Sequence, residues 1–138
     1  MRLLYPVFIT LLFTLLLQEA NAQQLLDIKL QNVQIDYNRG VGDQWSYRFY
    51  INNRRILPRR PITFDLSKTD TLAFHAIVTE HDEHPDRADY QHTFSTARFQ
   101  GPHDYLRISV TVRENEGRKR GSTAKWDFFF RTERYRGE

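Results

Sequence analysis

The sequence predicts an all-β fold, an antiparallel β-sandwich of seven or eight strands, on three observations. Apolar and polar residues alternate with period two along most of the chain, the signature of half-buried strands. Turn-forming clusters such as "NRGVGD", "NN", "SKTD" and "EGRKRG" punctuate that alternation at spacings of about ten residues. Helical periodicity is missing beyond the first residues, which argues against any mixed fold. A small β-barrel is the alternative architecture that the same pattern allows.

The elements follow in order. "LLDIKLQNVQIDY" sets Leu26, Ile28 and Leu30 on one face, and a one-residue slip then puts Val33, Ile35 and Tyr37 on a face of their own. A β-bulge produces such a slip. In "QWSYRFYIN", Trp45, Tyr47, Phe49 and Ile51 alternate with polar residues, and Asn52–Asn53 suits a tight hairpin because Asn tolerates positive φ. "RRIL" and "ITFDL" read as one strand or two. "TLAFHAIVTE" is apolar on both faces and predicts a central strand, and "YQHTFSTARF" a looser one. "DYLRISVTVREN" turns Leu106, Ile108, Val110 and Val112 inward, and "KWDFFFRTER" does the same with Trp126, Phe128 and Phe130. The charged tail "RTERYRGE" is expected to fray.

The chain has 138 residues, and its start predicts export. A basic Met1–Arg2 start precedes the uncharged run Leu3–Leu17, and Ala20 and Ala22 supply the small residues that signal peptidase reads. The run is shorter than the roughly 20 apolar residues of a membrane span. The expectation is a signal peptide at 1–22, a single β-sandwich domain at 23–138, and no transmembrane segment after cleavage. The sequence has no cysteine, hence no disulfide framework, and no Asn-x-Ser/Thr site. Both features lean toward a bacterial periplasmic or secreted protein. Lys and Arg total 20 against 17 Asp and Glu, a formal charge of +3. That excess is ordinary surface chemistry, and no nucleic-acid partner is expected.

The densest cluster of chemistry-bearing residues is "TEHDEHPDRADYQH" at 79–92. Glu80, Asp82, Asp86 and Asp89 gather around Pro85, and hard cations such as Ca²⁺ take oxygen ligands from carboxylates collected on loops. Strand, acid-x-acid, short loop and a further Asp resembles the third calcium-binding loop of C2 domains, over Val78, Glu80, Asp82 and Asp89, with Asp86 as a further candidate. The resemblance implies an eight-stranded antiparallel sandwich and a partner loop that supplies aspartates from an early strand, which Asp36 or Asp43 would fill. Glu80 stands where that pattern has Asp, and the early "SDPY"-like segment and a glycine after the last Asp are absent. Phospholipid binding is not carried over. A solvated hairpin end is the plain alternative. His81, His84 and His92 beside Asp82 and Asp86 form a third reading, a transition-metal site, since imidazole and carboxylate suit Zn²⁺ or Ni²⁺.

Two basic clusters, Arg54, Arg55, Arg59 and Arg60 and then Arg118, Lys119 and Arg120, suit an acidic protein or an anionic glycan or lipid surface. They equally suit charged edges that discourage sheet-to-sheet pairing. Tyr50 and Phe129 fall out of phase with the core and mark faces where a ligand could stack. No serine sits in a nucleophile-elbow context, and no glycine-rich phosphate loop follows a strand. The sequence therefore predicts an exported, non-enzymatic binding module with Ca²⁺ as its cofactor at Glu80, Asp82, Asp86, Asp89 and Asp43. The alternatives are a metal-independent interaction or structural envelope domain working through its arginines, and a small secreted hydrolase working through the acid/histidine loop.

Overall fold

Eight strands form two four-stranded antiparallel sheets in the computed structural model, which describes residues 23–137. The predicted leader at 1–22 lies outside the described residues. In chain order the strands are β1 (Gln24–Asn38), β2 (Trp45–Ile51), β3 (Arg54–Arg55), β4 (Pro61–Asp65), β5 (Thr71–Glu80), β6 (Arg87–Ser95), β7 (His103–Arg113) and β8 (Thr123–Arg136). One sheet runs β4-β1-β8-β7 and the other β3-β2-β5-β6. They pack as a sandwich and do not close into the alternative barrel. "RRIL" and "ITFDL" are thus two strands, and they belong to different sheets.

Alternation places the core where the sequence predicts it. Leu72, Phe74, Ala76 and Val78 of β5 face Leu106, Ile108, Val110 and Val112 of β7 and Phe128 and Phe130 of β8 across the interior, all buried. Phe49 on β2 sits among Phe74, Phe128 and Phe130, with ring centroids 6.0, 5.3 and 4.7 Å away. Tilted and edge-on contacts of this kind let aromatic quadrupoles attract as well as fill volume. The Asn52–Asn53 hairpin forms as expected, with φ of 47° and 61°.

Two sequence expectations are corrected by the ladders. The slip in β1 is a register shift between Leu30 and Asn32, but a second one follows between Ile35 and Tyr37. The first returns Val33 and Ile35 to the inner face opposite Phe128 and Trp126, and the second turns Tyr37 out opposite Lys125, with Arg39 stacked 5.0 Å from its ring. The charged tail does not fray. It continues β8 to Arg136 against Gln24, with Arg134 Nε donating to Gln24 Oε1 at 3.1 Å and the Tyr135 hydroxyl to Asp27 at 3.2 Å. The one helical element among the described residues is a single 3₁₀ turn at Thr96–Arg98, capped by the Ser95 hydroxyl.

Candidate functional site

Strand parity brings three loops to one end of the sandwich. β5 finishes at Glu80, which pairs in register with Trp45 at the start of β2, and His81 N–H donates to the Gln44 carbonyl at 2.6 Å. The β1–β2 turn is folded by Asn38, whose side-chain amide donates to the Val41 and Gly42 carbonyls. Gly42, at φ +28°, lies directly against the Glu80 carboxylate. The β7–β8 loop completes the end, with Lys119 packed on Gly40 and Asn115 bound to Asp86. The early loop and the loop after β5 therefore meet at this end.

Three acids are buried here. Glu80 is fully buried, Asp86 is 2 % exposed and Glu114 is 8 % exposed. Two of them, Glu80 and Asp86, tie backbone together through their carboxylates. Glu80 Oε2 accepts from Asp82 N–H at 3.1 Å. Asp86 Oδ1 accepts from the backbone and side-chain amides of Asn115 at 3.1 and 2.9 Å, while the Asp86 carbonyl accepts from Glu80 N–H at 2.8 Å. Among the described residues two carboxylate oxygens, Glu80 Oε1 and Asp86 Oδ2, are buried without a hydrogen-bond partner. A buried polar atom without a partner is costly, because it has given up water for nothing.

Electrostatics follow from that crowding. Burial pushes the Glu80 carboxyl above the ordinary carboxylate range and the neighbouring Asp82 charge adds to it, against hydrogen bonds from the Asp82 and Gln44 backbone. Burial likewise raises Glu114, reinforced by the charges of Asp86 and Asp82. A carboxyl with a raised native pKa holds its proton more tightly in the folded chain. It adds stability below its unfolded pKa, and that stability is lost as pH rises through the folded value. In EDTA the protein is thus expected to resist urea better near about pH 5 than near about pH 8. Asp89, lowered chiefly by its hydrogen bond from Arg87, works in the opposite sense and loses its contribution only at more acidic pH. Glu80→Gln and Glu114→Gln together should flatten the slope between those two pH values. An unchanged slope in the double variant would assign it elsewhere.

The sequence-predicted residues divide between this end and other places. Asp82 and Asp43 are exposed on the two loops beside Glu80, Asp82 Oδ1 accepting from His84 N–H at 2.7 Å. Asp36 leaves the end and pairs with Lys125 at 3.0 Å. Asp89 does not join the cluster. It is a β6 residue paired with Ile77 on the outer face of its sheet, held by Arg87 at 2.9 Å and His75 at 2.9 Å. Glu114, which no sequence motif singles out, takes the place beside Asp86.

The histidines disperse. His81 Nε2 meets the Ser46 hydroxyl at 2.6 Å, His84 Nδ1 stands 3.6 Å from Glu116, and His92 is exposed on β6 against Phe94. Among the described residues no group of three His, Asp or Glu side chains has the spacing to grip one ion. The basic clusters occupy opposite ends. Arg54 and Arg55 flank the far end of β2, Arg59 and Arg60 follow on the link to β4, and Arg118, Lys119 and Arg120 cap the acidic end.

The described residues thus form a small all-β domain without an obvious catalytic or metal-binding motif, and among them no helix is long and apolar enough to cross a membrane. The antiparallel two-sheet topology does not single out C2 domains. No protein-family model and no curated protein matches the chain.

Proposed function

We propose that this chain is an exported binding module, without chemistry of its own, whose acidic end takes Ca²⁺. The observation that carries the reading is the pair of buried, partnerless oxygens, Glu80 Oε1 and Asp86 Oδ2, at an end that also holds Glu114, Asp82 and Asp43. A hard cation prefers such oxygens and offsets both their desolvation and their mutual repulsion. Glu80, Asp86 and Asp82 are the proposed ligands, with Glu114 and Asp43 beside them; as they stand no three of these groups converge on one point, so the ion would have to draw the exposed Asp82 in toward the two buried oxygens. The meeting of the β1–β2 and β5–β6 loops supports a C2-like arrangement. Export rests on the apolar run Leu3–Leu17 followed by Ala20 and Ala22.

A thermal melt of the purified protein after EDTA treatment, then with Ca²⁺, Mg²⁺ or Zn²⁺, tests this. An ion that binds only the folded state adds about 2.7 kcal/mol at 100 times its dissociation constant. For a domain of this size that is a rise on the order of 10 °C in Tm. The expected result is a rise with Ca²⁺ that Asp82→Asn removes. A flat response to all three ions would leave the buried acids as purely structural clasps between loops.

The arginines favour a second reading, interaction with an acidic protein without metal. Arg55, Arg59 and Arg60 form no ion pair among the described residues. Binding through such exposed charges weakens as salt rises, whereas Ca²⁺ bound among buried carboxylates is screened far less.

A further inference from the structure

We propose that the bare edge of β2 accepts an extended peptide, with apolar and acidic residues in alternation, as an added strand of the β3-β2-β5-β6 sheet. β3 accompanies β2 only at Tyr50 and Ile51, and one further bond, Ile56 N–H to the Phe49 carbonyl at 2.9 Å, ends the partnership. The chain then crosses to the other sheet, where Arg59 N–H donates to the Leu30 carbonyl at 3.0 Å. Among the described residues, β2 from Trp45 to Arg48 has a strand neighbour on one side alone, β5. In an antiparallel ladder the N–H and C=O of one residue point to the same side and alternate along the strand. The alternation that aims Phe49 at Ile56 aims Tyr47 and Trp45 at the vacant side. A row of unpaired backbone groups is a template for another extended chain, and this sets the chemistry of the occupant.

The other edges are guarded. β4 begins with Pro61, and β1 beyond its pairing with β4 is broken by register shifts after Leu30 and Ile35. β6 and β7 approach one another on the far side of the sandwich. β2 pairs with β5 without a shift from Trp45 to Ile51, so its edge is regular and unprotected.

The space beside that edge matches a strand. Pro58 and Arg59 roof a hollow of about 210 Å³ whose walls include Val33 and Tyr47. Ile35 faces inward opposite Trp126 and yet is 39 % exposed, because no strand among the described residues covers that part of the slot. A guest continuing the line of β3 would put alternate side chains into the slot, against Val33, Ile35 and Tyr47, and these must be apolar. Its remaining side chains would emerge on the outer face, where Arg48 of β2 and Arg55 of β3 point. Neither arginine forms an ion pair among the described residues, so acidic residues complement them.

Short synthetic peptides of roughly six residues test this. One set alternates Glu with Val, Ile or Phe, and a matched set carries Lys in place of Glu. Tryptophan fluorescence reports binding, since Trp45 lies on the edge itself and Trp126 packs 6.1 Å from Tyr47. EDTA is present throughout, which keeps the outcome independent of the acidic end. Saturable binding by at least one Glu peptide is expected, with the Lys counterpart weaker by about tenfold or more. Arg48→Glu, an exposed change, should reverse that order. N-methylation of the peptide amides that face β2 should abolish binding without altering the protein. Equal binding by the N-methylated peptide, or no saturation by any of the Glu peptides, would overturn the proposal. So would a stable dimer in sedimentation that no peptide disperses, since a second copy would then own the edge.

Discussion

Replacing Phe49 by Ala is expected to lower the unfolding free energy by about 3–5 kcal/mol, the range for a fully buried Phe truncated in a packed core. Phe49 is 1 % exposed and touches aromatic rings from both sheets, Phe74 on its own and Phe128 and Phe130 on the facing one. Truncation removes the transfer free energy of the ring and leaves a cavity that antiparallel ladders on either side keep from collapsing. Phe94→Ala makes a useful contrast. Phe94 lies on the outer strand β6, only partly buried, with Phe74 and Phe99 near it, so less is lost. Urea unfolding of both variants at one pH measures the difference. A cost at Phe49 no greater than at Phe94 would mean that the sheets slide together to refill the space, and that the interior is far softer than its packing implies.

How much of this was legible in the sequence depends on whether a feature is local. The alternation that places Phe49, Phe74 and Phe128 inside is local, and so is the Asn52–Asn53 turn, so both were readable. The first slip in β1 was also readable, because Leu30 and Val33 are out of phase by one. The second was not. Tyr37 reads as an apolar residue in step with Val33 and Ile35, but an aromatic with a polar tip is stable outside when Arg39 stacks on it. The tail misled for a related reason. Arg131, Glu133 and Tyr135 are alternate residues of one strand face, and a strand with one wet face carries charges there as a matter of course. Its partner, Gln24–Leu26, lies at the other end of the described chain, and no local pattern announces such pairing.

The acidic end was half legible. Its acids stand out in "TEHDEHPDRADYQH", yet spacing alone could not separate Asp86, which turns in, from Asp89, which belongs to the outer face of β6. Glu114 was overlooked although a signal existed. Leu106, Ile108, Val110 and Val112 alternate inward, and Glu114 is the next position in that phase; Glu80 stands in the same relation to Leu72, Phe74, Ala76 and Val78. An acid at the step where a core residue is due predicts a buried carboxyl. That both belong to one end follows from strand parity, and parity turns on β3 and β4 being separate strands, which no local pattern decides.

Gly42→Ala is expected to be the most disruptive change outside the core, costing about 2–4 kcal/mol although it adds one methyl group. Roughly 1–3 kcal/mol comes from holding a residue with a Cβ at the unusual φ of +28°. The rest comes from contact. The new carbon would lie 1.9 Å from Glu80 Oε1 and 2.3 Å from Cδ, so either the carboxylate or the turn must move. If the carboxylate yields, it leaves the Asp82 N–H it accepts from and loosens the β5–β6 loop; if the turn yields, the Asn38 bonds to Val41 and Gly42 are strained. Gly121→Ala is the control, at φ +91° with nothing within 4 Å of the added Cβ, so that only the backbone cost remains. Urea unfolding of both variants separates the two contributions. Equal costs would show that the close approach of Gly42 to Glu80 is relieved freely. A larger cost at Gly42, together with weakened Ca²⁺ stabilisation in the same variant, is expected if this turn is what holds the Glu80 carboxylate in place.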